Sequence, residues 1–380
     1  EPHCPRCAWA LAMDFTYSEE QQMLADTVTR WAEAEPASRG TFSEERWSRL
    51  AELGLLGLNI PEEYGGLASS PVETLIVMQA FGRALFSDPF MPTAVVGASL
   101  LAAAGNVAQR SELLPRIAAG ALRIALATLE PASRFDLTDI STTAVRKSDL
   151  YTLEGRKAVV LHGDSAGLLV VSARTSGARR DPDGVTLFLV DAHAPGVTLK
   201  VFPTIDGQRA AEISLNNVSV PAAAVLADVG SGYLPLEWAL DRGIAALCAE
   251  AVGAMEKLME LTTEYLRTRK QFGQAIGKFQ ALQHRVADMQ IAIEQARSMA
   301  LMAAALVDHP QRIERRKALS AAKAMIGRSG NFVGQQAVQL HGGMGMTAEL
   351  SVGDYFKRLT CIDKTWGNTE HHVALYGDQL

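Results

Sequence analysis

Two segments in the second half of the chain gather a cation, glutamines and glycines where helices end. One is Arg269-Lys270-Gln271-Phe272-Gly273 with Ile276-Gly277-Lys278-Phe279-Gln280 after it; the other is Gln339-Leu340-His341-Gly342-Gly343-Met344-Gly345. Each alone reads as a helix C-terminus, where a positive side chain meets the dipole and glycine takes the left-handed cap. Two other clusters carry metal or redox residue types. His3-Cys4-Pro5-Arg6-Cys7 is half of a zinc site or a thiol pair, and no second Cys-x-x-Cys follows it. It stands ahead of Met13-Asp14-Phe15, so residues 1–12 read as an extension or tag before a natural start at Met13. His371 and His372 are adjacent on a predicted helix, their rings diverge, and no carboxylate cluster joins them, so no metal is expected.

The elements that must position these groups change character twice. From Ser18 the spacing of Met23, Leu24, Val28 and Trp31 predicts a helix opened by a Ser18–Gln21 capping box. Helices continue to about Gly120, broken at Asn59–Gly66 by proline and paired glycines. Seven short β-rich runs follow, Ile124–Thr128, Tyr151–Leu153, Ala158–Leu161, Leu168–Ser172, Val185–Val190, Val197–Val201 and Glu212–Leu215, with turn residues between most of them. They predict a sandwich or barrel. After Gly230-Ser231-Gly232 come three long periodic segments, Leu240–Leu266, Phe279–Val307 and Ile313–Leu340, which read as a helical bundle. The expected organisation is an N-terminal α-helical domain over 13–120, a middle β-domain over 121–228 and a four-helix-bundle-like domain over 229–380.

Bulk properties agree. The 380 residues allow two or three domains, and 48% hydrophobic with 21% charged residues is ordinary for a globular protein. A net charge of −6 argues against a broad nucleic-acid surface, and no run approaches the roughly 20 apolar residues of a membrane span. Four scattered cysteines and no convincing signal peptide make a cytoplasmic location the default expectation.

Taken together, in this order and in an α-β-α chain, the two glycine-flanked segments resemble those of the acyl-CoA dehydrogenase family. The resemblance runs from about Met13 to the C-terminus. It includes Ile60-Pro61-Glu62-Glu63-Tyr64-Gly65-Gly66, the Glu130-Pro131 pair and Leu153-Glu154-Gly155-Arg156-Lys157. Within the family, Phe356-Lys357-Arg358-Leu359-Thr360-Cys361-Ile362-Asp363 is most similar to the small subunit of pimeloyl-CoA dehydrogenase-type enzymes. The resemblance implies an oxidoreductase that desaturates an acyl-CoA thioester between its α and β carbons, holds FAD between the β-domain and the bundle, and passes electrons to a separate acceptor. It further implies that Arg269, Phe272, Gln280, Gln339, Gly342 and Gly343 meet the adenosine-diphosphate half of a neighbouring chain's FAD. The chemistry suits them: arginine forks onto pyrophosphate, and glycine lets backbone amides approach an anion.

The match breaks down where the chemistry would occur. The family draws its general base from a glutamate in a "YEGT"-like segment, which here reads Thr365-Trp366-Gly367-Asn368, or from the helix before RxxFG, where the position is Gly243. Neither Trp366 nor Gly243 takes a proton. The family's "TEPGAGSD" loop becomes Leu129 to Asp136, losing hydroxyls at Leu129 and Phe135, and its "WITN" becomes Val159-Val160-Leu161-His162. The losses fall on a chain's own flavin ring and substrate, while the residues reaching toward a neighbour remain. That asymmetry is expected of a non-catalytic subunit beside a larger homologue. Two alternatives stay open: a structural or nucleotide-binding partner with no redox step, and a homodimer or tetramer with a relocated base. Glu250, seven residues past Gly243 among small apolar residues, is the candidate base, set against a simple pairing with a cation from another helix. Asp241, Asp363 and Glu370 are weaker candidates.

Overall fold

A computed structural model describes residues 17–35 and 41–379. The Cys4–Cys7 pair and the extension lie outside them. The first half begins with α1 (Glu19–Ala34), α2 (Glu44–Glu52) and α3 (Pro71–Ala84). Ser18 opens α1 with the expected capping box: its hydroxyl accepts from the Gln21 amide at 3.2 Å, and its own amide donates back to the Gln21 side chain at 3.1 Å. A π-helical turn (Met91–Gly97) runs into α4 (Ala98–Ala104), and α5 (Val107–Ala118) closes this region.

The middle segment forms one eight-stranded sheet from β1 (Ile124–Ala127), β2 (Thr143–Lys147), β3 (Leu150–Leu161), β4 (Leu168–Arg174), β5 (Val185–Asp191), β6 (Val197–Pro203), β7 (Arg209–Pro221) and β8 (Val225–Leu226). The strand order is β6-β7-β3-β2-β4-β5-β8, with β1 pairing parallel to β4. Pairing is otherwise antiparallel apart from one parallel β2–β4 contact. Two runs that read as separate strands, Tyr151–Leu153 and Ala158–Leu161, are one strand. β3 passes through Gly155 by slipping register against β7, so a glycine that looks like punctuation is a bulge. Neighbours on β4 and β5 alternate between two cores: Leu169, Val171, Phe188 and Val190 face one, Val170, Leu187 and Leu189 the other, against the N-terminal helices. Burial on both faces explains why these strands read as continuous apolar runs.

The last part holds α6 (Tyr233–Thr268), α7 (Gln280–Leu306), α8 (Arg312–His341), α9 (Val352–Lys364) and α10 (Thr369–Gly377). α6 is the spine, packing on α3, α7, α8 and α9. It approaches α3 so closely that a Cβ on Gly253 would lie 1.8 Å from the Gln79 carbonyl oxygen, and one on Gly82 1.9 Å from that of Glu250. Among the described residues no helix is long and apolar enough to cross a membrane.

Candidate active site

A cavity of about 360 Å³ lies between the sheet and the end of α9. Leu126, Thr128 and Leu129 reach it from the end of β1, Val159 and Leu161 from β3, and Cys361, Thr365 and Trp366 from α9 and the residues after it. A second register slip in β3, between Lys157 and Val160, puts Val159 on the wall of this space. The residue sits at φ +49°, uncommon for a β-branched side chain, and is half exposed. Phe135, in the segment after β1, also lines the cavity and rests against the His371 ring, 5.2 Å between centroids.

Behind this wall two family-like elements become one interaction. The buried carboxylate of Glu130 accepts from Lys157 Nζ at 2.8 Å and from the amides of Ser141 and Thr142 at 2.8 and 2.9 Å. Lys157 also donates to Ser172 on β4 at 3.2 Å. Burial works to raise the Glu130 pKa, but Lys157 and the hydrogen bonds overcome it and hold the group down to about 2. Burial pulls Lys157 down to about 8 against the attraction of Glu130. Both are therefore charged at neutral pH, and the pair ties the loop after β1 to the sheet.

The two expected base positions, far apart in sequence, meet in space. Gly243 on α6 is buried beneath the Trp366 indole, and a Cβ on it would fall 2.4 Å from Trp366 Cζ3. Glu250, two turns further along α6, is engaged at both oxygens: Arg358 of α9 donates from Nε at 2.5 Å and from Nη2 at 2.8 Å. Arg358 Nη1 continues to Asp206, between β6 and β7, at 2.8 Å. The pairing weighed for Glu250 thus has a named partner. The signal for it was present, because Arg358 lies among Tyr355, Leu359 and Ile362 on the buried face of α9. Asp206 had no such signal, since only the loop's placement brings it to the cavity wall. Asp241 is held by Arg315 and Arg316 at 2.8 and 2.7 Å. Asp363 accepts from the Thr369 amide at 3.1 Å, and Glu370 from Asn368. None of these three lines the cavity. His372 Nε2 lies 3.1 Å from the Trp366 carbonyl oxygen. No three of His, Cys, Asp and Glu cluster as a metal set among the described residues.

A second, open concavity of about 640 Å³ lies where α6 and α8 end and α7 begins. Arg269, Gln339, Gly342 and Gly343 line it together, beside the Tyr265 and His341 rings stacked at 4.4 Å. Phe272 and Gln280 do not line it. Phe272 is 88% exposed, with its ring 6.0 Å from Phe279. Among the described residues the Arg269 guanidinium has no ion pair or hydrogen bond. Positions where a Cβ would stand on Gly342 and Gly343 are open, and Gly342 holds φ +59°. A free forked cation beside two glycine amides fits a pyrophosphate, the anionic half of FAD. Arg269 lies 26 residues after Gly243, about 39 Å along α6 at 1.5 Å per residue. The two concavities therefore lie at opposite ends of this stretch of α6.

Comparison with known proteins covers nearly the whole chain. Residues 18–121, 125–218 and 230–380 match, in order, the acyl-CoA dehydrogenase N-terminal, middle and C-terminal domains. The chain is 32% identical to the probable acyl-CoA dehydrogenase YngJ of Bacillus subtilis (strain 168) across 97% of its length and 100% of the relative's. It is 28% identical to the caffeyl-CoA reductase-Etf complex subunit CarC of Acetobacterium woodii, over 88% of the chain and 91% of that protein. A variant of the Tcur3481-Tcur3483 steroid ACAD superposes with a TM-score of 0.81 at 31% identity, covering 95% of this chain and 96% of that one.

Proposed function

The chain belongs to the acyl-CoA dehydrogenase family, whose members bind FAD, and from that premise we propose that it is the subunit of an acyl-CoA dehydrogenase that completes a neighbour's FAD site and supplies no general base of its own. The observation that carries this reading is the Gly243–Trp366 contact. Where the family places a carboxylate, this chain packs an indole against a bare helix backbone. Glu250 does not substitute: Arg358 clamps its carboxylate, and it does not line the cavity. A base must reach the substrate proton within hydrogen-bond distance.

FAD, when bound, supplies acceptance of the β-hydride of an acyl thioester. This chain's part is to bind and orient. The Arg269 fork would hold a neighbour's pyrophosphate, the Gly342 and Gly343 amides could approach its oxygens without a Cβ in the way, and the Gln339 amide would offer a further hydrogen bond. Phe272, exposed at the end of α6, would pack on that neighbour's nucleotide, and Gln280 at the start of α7 would add a hydrogen bond, both from outside the concavity itself. The base and an intact ring pocket come from a longer homologous subunit, in keeping with the pimeloyl-type small-subunit likeness and with a similar steroid ACAD that carries two paired names. An electron-transferring flavoprotein is the acceptor we assign, on the name of the Acetobacterium relative.

The test is co-expression with an adjacent longer homologue, then assay with an artificial electron acceptor. This chain alone is expected to run slower than the assembly by a factor on the order of 10² to 10⁴, the usual worth of a general base. Comparable turnover by the chain alone would sink the reading. Loss of that turnover in Glu250→Gln would then identify the relocated base.

A further inference from the structure

The indole of Trp366 does more than stand where a glutamate is expected. Its six-membered ring lies over Gly243 so closely that even a methyl group there would overlap it, and Val96 Cγ2, from the π-helical turn, would be 2.8 Å from the same point. Three elements thus close on one spot: α6, the turn before α4, and the segment after α9. Beyond it, between α6 and the N-terminal helices, the space lined by Thr74, Val95, Ala245 and Ala246 holds only about 10 Å³, room for roughly one water and no alkyl chain.

The backbone holds the indole in this pose against its own preference. Trp366 has φ +54°, a left-handed conformation that bulky residues avoid. Its carbonyl oxygen faces His372 Nε2 at 3.1 Å, and the Gly367 carbonyl accepts from Lys323 Nζ at 2.7 Å. Lys323 is fully buried and also donates to the Asp363 carbonyl at 3.1 Å. A buried ammonium and an imidazole clamping two successive carbonyls keep the unfavourable φ in place. Strain retained beside a cavity is itself a pointer to a role.

We propose that Trp366 is a plug that fills the inner end of this chain's own cavity, against Gly243 of α6, and so denies acyl-CoA thioesters the position they would need there, so that in an assembly only the partner subunits bind substrate. This rests on the subunit reading above and deepens it: the chain lacks a base, and it also excludes the thioester from the position a base would serve.

Equilibrium dialysis with octanoyl-CoA tests the plug without relying on turnover. In the co-expressed assembly, bound octanoyl-CoA is expected to equal the number of partner chains. A count equal to all chains overturns the plug. For the full chain alone, Trp366→Gly is expected to bind octanoyl-CoA at least tenfold tighter than wild type, while Trp366→Phe, which keeps a ring over Gly243, stays near wild type. Equal binding by wild type and Trp366→Gly also overturns it. If Trp366→Gly fails to fold, the stoichiometry of the wild-type assembly decides. Failure of the two ideas looks different: turnover by the chain alone ends the subunit reading, whereas binding without turnover ends the plug only.

Discussion

Arg269 ends α6 as a guanidinium with no partner of its own among the described residues, facing a cleft whose glycines leave their amides bare. If it holds a neighbour's pyrophosphate, Arg269→Ala removes a charge-assisted hydrogen bond worth about 1.5–3 kcal/mol, and FAD retention in the assembly falls by roughly tenfold or more. Arg269→Lys should restore only part, because the fork is lost. The ratio of flavin absorbance to protein after gel filtration reads this, and an unchanged ratio would reduce Arg269 to a helix-end residue. Lys157 makes a different kind of contribution. Lys157→Met leaves Glu130 buried with its ammonium partner gone, at an expected cost of about 3–5 kcal/mol in urea unfolding. Adding Glu130→Gln should recover part of the loss, since the worst outcome is one unpaired charge rather than none.

At the scale of elements, the crossing of α3 over α6 decides where Glu250 stands. Gly253 and Gly82 let the two backbones touch, each glycine lying against a carbonyl of the other helix. Gly253→Ala must push the helices apart, since a Cβ cannot sit 1.8 Å from the Gln79 oxygen. Overpacking there is expected to cost about 2–3 kcal/mol by denaturant unfolding. An exposed control such as Gly377→Ala, with nothing near its Cβ position, should cost far less. Unfolding of Gly253→Ala at wild-type denaturant concentration would show that the crossing tolerates separation.

At the scale of the whole molecule, buried histidines tie stability to acidity. Burial lowers His162 to about 4, and burial with the nearby Lys323 charge lowers His372 to about 3, from an ordinary value of 6.5. Below pH 6.5 the unfolded chain takes up protons that these two refuse in the fold, so stability falls as pH drops from 6.5 toward 4. Glu130, lowered to about 2, contributes stability present above its unfolded value near 4.5 and lost below it. The acid limb of a melting-temperature profile should therefore begin near pH 6.5, and His162→Asn or His372→Asn should flatten it between pH 6.5 and 4.5. A wild-type profile level down to pH 4.5 would contradict this account.

Local signals in the sequence determined the order of helices, sheet and bundle, the capping box at Ser18, the glycine-marked ends of α6 and α8, and the family itself. Periodicity, caps and turn residues act over a few neighbours, so they are legible without coordinates. Gly155 misled, because a glycine inside a strand and a glycine between strands look alike until a partner strand sets the register. The site was only half legible. Arg269, Gln339, Gly342 and Gly343 carry a recognisable spacing, and the tertiary fold brings them to one cleft. That Glu130 belongs to Lys157, that Glu250 belongs to Arg358, and that Trp366 lies on Gly243 depended on which helices cross and where a loop lands. Such choices join residues 27, 108 and 123 positions apart, and no short-range pattern encodes them. A buried charge or a filled cavity is set by whatever packs against it, and that is decided only when the chain has folded.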